Sequence, residues 1–133
     1  MQLNHECIRD ILLEVEKHST FHNPYIYNPD NLPRDSFLSK YSSDEVMYHI
    51  HQCDLAGYLL NTNWKVFQYV AIEDLMPVGH DLIANIRAEE TWTATKKFVS
   101  KLGGAGLKML SATAEGVATA FLNKYVDAMV QNL

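Results

Sequence analysis

A helix-period apolar run stops at a single glycine and gives way to β-forming residues. This junction, Leu55-Ala56-Gly57-Tyr58-Leu59, constrains the fold more than any other feature of the chain. Glycine adopts the left-handed backbone that closes a helix end, with no Cβ to oppose it. Upstream, Ser42-Ser43-Asp44-Glu45 has the spacing of a helix start, with Ser42 as N-cap and Glu45 three residues on, as in a capping box. The helix between is predicted to turn Val46, Ile50, Cys53 and Leu55 inward, with Met47 and Tyr48 flanking the stripe. Downstream, Tyr58-Leu59-Leu60 leaves as a strand and Asn61-Thr62-Asn63 has turn chemistry. Val66, Phe67, Tyr69, Val70 and Ile72 are β-formers, so a ribbon of roughly 58–61 with 67–74 is the economical reading.

The remaining elements fall on either side of that junction. Leu3, Cys7, Ile8, Ile11, Leu12 and Val15 recur at helical spacing, and Asn4 can cap a first helix over roughly 4–18. The prolines and asparagines of residues 19–33 forbid regular helix, although Tyr25-Ile26-Tyr27 suits a short extended piece. A short helix is predicted from about Arg34 to Lys40, with Phe37, Leu38 and Tyr41 inward. Pro77 opens a helix whose buried stripe is Val78, Leu82, Ile83 and Ile86. Helix continues over Glu89–Leu102, breaks at Gly103-Gly104 and resumes from about Ala105 to Val130. The predicted fold is mainly α with a small β-hairpin. It is a winged helix-turn-helix-like core followed by C-terminal helices. The expected division is a winged-helix-like domain over 1–88 and a helical extension over 89–133, packing on the domain or forming a dimer.

Charge narrows the partners. The formal net charge is −5, which disfavours a protein that coats itself in nucleic-acid phosphate. Residues 1–60 hold 4 basic and 9 acidic side chains, whereas residues 88–133 hold 5 and 4. No apolar run approaches the roughly 18 residues of a membrane span. The polar N-terminus MQLNHECIRD does not read as a secretory signal, so a cytoplasmic location is expected. Cys7 and Cys53 fall on apolar faces, which suits buried free thiols in a reducing compartment.

In a winged helix the third helix offers its N-terminal residues to DNA; here these include Ser43, Tyr48, His49 and Gln52. That helix has no Lys or Arg, and Asp44, Glu45 and Asp54 would be repelled by phosphate. Lys96, Lys97, Lys101 and Lys108 would then have to supply the phosphate contacts. His49, His51, Cys53 and His80 are metal-ligand types, but they do not form a closed set of four by spacing, so no metal is expected. There is no HExxH, GxSxG, P-loop or GxGxxG, and the glycines at 103–106 follow a helix rather than a strand. No enzyme activity and no cofactor are expected. His80, Arg87 and Trp92 are read as packing of their helices, with His80 hydrogen-bonded near the wing, or as a polar partner surface. In the last helix Ala112, Gly116 and Ala120 recur every fourth position, a seam that permits close backbone approach and homodimerisation.

Three stretches carry a family resemblance: LNHECIRDILLEVE at 3–16, YSSDEVMYHIHQCDLAGYL at 41–59 and MPVGHDLIANIRAEETWTATK at 76–96. They resemble the "domain of unknown function 2513" family, small proteins typical of phages and prophages of low-GC Gram-positive bacteria. Gly79-His80, Asn85-Ile86-Arg87, Trp92 and Lys96 fit its most recognisable segment. The likeness covers about the first 100 residues, with the tail from Gly103 matching loosely. It implies a mobile-element origin and a winged-helix-like core, without a mechanism. Two function classes follow: a small phage-type transcriptional regulator that binds DNA, or a protein-interaction module acting on a host or phage protein.

Overall fold

The structure is a computed structural model that describes residues 1–66 and 69–133. Asn4 caps α1 (His5–His18), its side-chain oxygen accepting from the backbone N–H groups of Glu6 and Cys7. Cys7, Ile8, Ile11, Leu12 and Val15 are buried along one stripe. The extended piece at Tyr25–Tyr27 is β1. Ser42 caps α2 (Ser43–Leu55) by accepting from Glu45 N–H, and Gly57 leaves it at φ +81°. Then come β2 (Leu59–Val66), β3 (Tyr69–Leu75) and α3 (Pro77–Ile86).

All three strands form one antiparallel sheet in the order β1-β3-β2. Tyr25 pairs with Ile72 and Tyr27 with Val70, so β1 extends the ribbon into a third strand. On the other side Leu59 pairs with Leu75, Thr62 with Ile72 and Asn63 with Ala71. The chain therefore folds as mainly helix with a small antiparallel sheet.

Several expectations fail for identifiable reasons. No helix forms at residues 34–40; the segment is a series of turns. Backbone bonds from Ser36 N–H to Pro33 and from Tyr41 N–H to Leu38 span three residues only. Acids of α1 hold the turns in place. Glu14 accepts from Tyr25 Oη at 2.8 Å, from Ser36 Oγ at 2.5 Å and from Phe37 N–H at 2.9 Å. Asp10 accepts from Tyr41 Oη at 2.6 Å and pairs with Lys40 at 3.1 Å. The expected turn at Asn61–Asn63 is instead strand, because pairing continues to Val66 opposite Tyr69. Asn61 takes φ +51°, a left-handed backbone that asparagine tolerates better than most residues. Phe67, expected as a strand former, lies outside the described residues.

Leu55 was expected inward and is 68% exposed. It sits about 200° round the helix from buried Cys53, and His49 instead completes the inward stripe with Val46, Ile50 and Cys53. Val78 is 52% exposed in the first turn of α3, while Leu82, Ile83 and Ile86 are buried as expected. Gly79 is buried here at a position with no room for a side chain, since a Cβ would lie 2.4 Å from the Tyr58 carbonyl oxygen. That same oxygen accepts from Met76 N–H at 2.8 Å, tying the start of α3 to the exit from α2.

The chain divides into two compact units, Met1–Ile83 and Ala84–Leu133. The second contains α4 (Glu89–Lys101) and α5 (Leu107–Gln131), joined through Gly103 and Gly104, both at positive φ. Leu107, Leu110, Ala114 and Val117 form the buried stripe of α5. Tyr125 Oη reaches Glu90 at 3.3 Å, so α5 runs back along α4.

Candidate functional site

The solvent side of α2 follows from its spacing. With Val46, His49, Ile50 and Cys53 inward, Asp44, His51 and Leu55 are exposed, and Tyr48 and Gln52 are half-buried. Ser43 is exposed in the first turn. Trp64 of β2 is 40% exposed and packs edge-on against the His51 ring, with centroids 5.7 Å apart. An aromatic and aliphatic surface is thus shared by α2 and the ribbon. The α2 side of its rim carries Asp44 and Asp54, and α2 contains no Lys or Arg.

His49 was expected as a contact residue, and its burial removes it from that set. Its exposure is 0%. Nε2 accepts from Asn4 N–H at 2.8 Å, which places the ring proton on Nδ1, 2.7 Å from the Glu45 carbonyl. Asn4 also donates from Nδ2 to the Glu45 carboxylate at 3.0 Å. The helix start at Asn4 and the helix start at Ser42 are therefore one hydrogen-bonded junction. Sequence spacing shows the two caps but not the link across 45 residues.

The four lysines lie in the second unit and all are exposed. Lys96 sits over the ring of buried Trp92 at 5.3 Å and Lys101 over Phe98 at 5.9 Å. Ala112, Gly116 and Ala120 are also exposed. Gly116 and Ala120 line an apolar groove of about 430 Å³ between α4 and α5, with Phe98, Leu102 and Val117. His80 lies 3.5 Å from Asp74 of β3.

Among the described residues no group of three or more His, Cys, Asp or Glu could hold a metal ion. Cys7 and Cys53 are buried and free. Burial, with the charges of Glu45 and Asp10 adding to it, pushes the Cys7 thiol up to about 12. Burial raises the Cys53 thiol as well. Neither is a ready nucleophile. Among the described residues no helix is long and apolar enough to cross a membrane.

A family model described as "Hypothetical protein (DUF2513)" matches residues 2–106. The chain belongs to this family. The DUF2513 match ends one residue before α5 begins at Leu107. The α2 and ribbon surface lies inside the DUF2513 span, and the Ala112/Gly116/Ala120 seam lies outside it. No curated protein and no solved structure matches the chain.

Proposed function

We propose that this protein is a small non-enzymatic regulatory module, of the mobile-element type its family resemblance implies, whose winged-helix-like body docks a protein partner on α2 and β2. The order α1, β1, α2, β2, β3 and the sheet order β1-β3-β2 support the winged-helix reading, with the turns at 34–41 standing where a second helix would lie. One observation carries the choice of partner: the exposed face of α2 presents Leu55 and the His51–Trp64 pair, with Asp44 and Asp54 and no cation. Phosphate binding draws its affinity from Lys and Arg. Exposed aromatic and aliphatic anchors are what protein interfaces use. A partner with an apolar anchor and a basic rim is complementary to this face.

DNA binding is the second reading, supported by the exposure of Lys96, Lys97, Lys101 and Lys108 on α4 and α5. Gel-shift titration against duplex DNA at two salt concentrations separates the two. The protein-docking reading expects no discrete complex. A salt-sensitive complex that disappears when all four lysines become Gln establishes the DNA reading instead.

A homodimer is part of the proposal. The outer side of α5 exposes Leu122, Val126, Met129 and Val130 beyond its packed stripe. Exposed apolar side chains grouped on one helix suit an interface, and a second α5 is a fitting cover.

A further inference from the structure

A cleft on the sheet, away from the surface just described, is unclaimed by that reading. Strand alternation sets Asn61 and Asn63 on the opposite face from Thr62 and Trp64. Asn63 pairs with Ala71, and Asn61 Nδ2 donates to Glu73 Oε1 at 3.0 Å, so two amides and a carboxylate share this outer face. Beside them the chain closes a tight turn. Thr20 N–H donates to Asn23 O at 2.9 Å, and Asn23 N–H reaches Thr20 O at 3.3 Å and Thr20 Oγ1 at 3.1 Å. The turn holds up Phe21, which is 95% exposed, with the His22 ring edge-on at 5.2 Å. Between turn and sheet lies a cleft of about 280 Å³ lined by Phe21, His22, Asn61, Asn63, Ala71 and Glu73.

We propose that this cleft binds one neutral pyranose unit of a glycan. The donor set selects the ligand. Among the described residues the lining has no Lys or Arg to pair its charge with a phosphate or carboxylate. Glu73 only accepts hydrogen bonds, whereas asparagine amides both donate and accept. That combination matches vicinal hydroxyls, which do both. Phe21 supplies a flat apolar face with a negative quadrupole, against which the C–H face of a sugar ring stacks. A ring so exposed gives the core nothing. Asn61 stands at φ +51° and its amide bonds Glu73, so the two polar groups lie side by side at the cleft. The cleft's size suits a single sugar ring with its neighbour outside.

The test is a titration of the ¹⁵N-labelled full-length chain with chitotriose and with maltotriose, with adenosine as a third arm. The expected result is saturable shift changes confined to residues 20–24, 61–63 and 71–73 with at least one sugar, with half-saturation on the order of 1 mM. Phe21→Ala, at an exposed position that leaves the fold intact by circular dichroism, weakens that binding at least tenfold. Glu73→Gln, which keeps an oxygen for Asn61, weakens it less. Shift changes with adenosine alone, shift changes elsewhere on the chain, or none with either sugar overturns the proposal.

Discussion

Glu14 has no exposed surface, yet three donors converge on its carboxylate from β1 and from the 34–41 turns. A buried carboxylate is tolerable only with such partners, and replacing it strands them. Glu14→Ala is expected to cost about 3 kcal/mol in urea unfolding; a loss under about 1 kcal/mol would show that water or a shifted backbone takes over. The buried phenols beside α1 also set an alkaline limit. Burial, reinforced by the neighbouring Cys7 and Glu14 charges, pushes the Tyr27 phenol up to about 12. Burial likewise raises Tyr25, helped by Glu14, and Tyr41, helped by its bond to Asp10. In the unfolded chain phenols release protons near pH 10, roughly. The native state therefore holds more protons above that point. Stability is intact below about pH 9 and falls as pH rises from about 10 toward 12. Unfolding midpoints unchanged between pH 8 and pH 11 contradict this. At this scale the caps at Asn4 and Ser42 and the glycine at 57 were legible, because each obeys a rule that spans a few residues. The roles of Glu14 and His49 were not. Their partners lie 23 and 45 positions away, at Phe37 and Asn4, and the type of a polar residue does not announce a distant donor.

The elements show the same division between local and distant causes. α1, α2, α3, α4 and α5 were readable from apolar spacing, proline and glycine, and the ribbon from its β-formers. The length of β2 was not, because Asn61–Asn63 has the composition of a turn and only pairing with β3 makes it strand. The turns at 34–41 carry a helical pattern in Phe37, Leu38 and Tyr41, while Asp10 and Glu14 hold the segment in another shape. Gly79 joins two elements. Any side chain there meets the Tyr58 carbonyl oxygen, which is backbone and already bonded to Met76. Gly79→Ala is therefore expected to destabilise by about 2 kcal/mol, as overpacking does, despite alanine's higher helix propensity. A stabilised variant in thermal unfolding contradicts that close approach.

Across the whole molecule, charge and family membership divide the chain at different places. Residues 1–83 carry 5 basic and 12 acidic side chains, and residues 84–133 carry 6 and 4. The DUF2513 span takes in α4 but not α5. An appended helix that leaves Leu122, Val126, Met129 and Val130 exposed fits a self-association element on a family body. Gly116 has open space around it, so Gly116→Leu leaves the single chain intact and blocks close approach of a second one. Light scattering is expected to give a dimer for the parent chain and a monomer for this variant; a parent chain that stays monomeric at high micromolar concentration contradicts the pairing. The proposed docking surface is only half legible in the sequence. The lack of cations on α2 is plain in the sequence, but the exposure of Leu55 and Trp64 is not, because it depends on how α2 and β2 pack. That surface is tested most directly by photo-crosslinking. A photoreactive residue is placed at position 55, and separately at exposed Asp30, in cells that naturally make the protein. A discrete protein adduct from position 55 that is absent from position 30 and lost on Trp64→Ala is the expected result. The same adducts from both positions, or none from position 55, contradict a protein-docking role for α2 and β2.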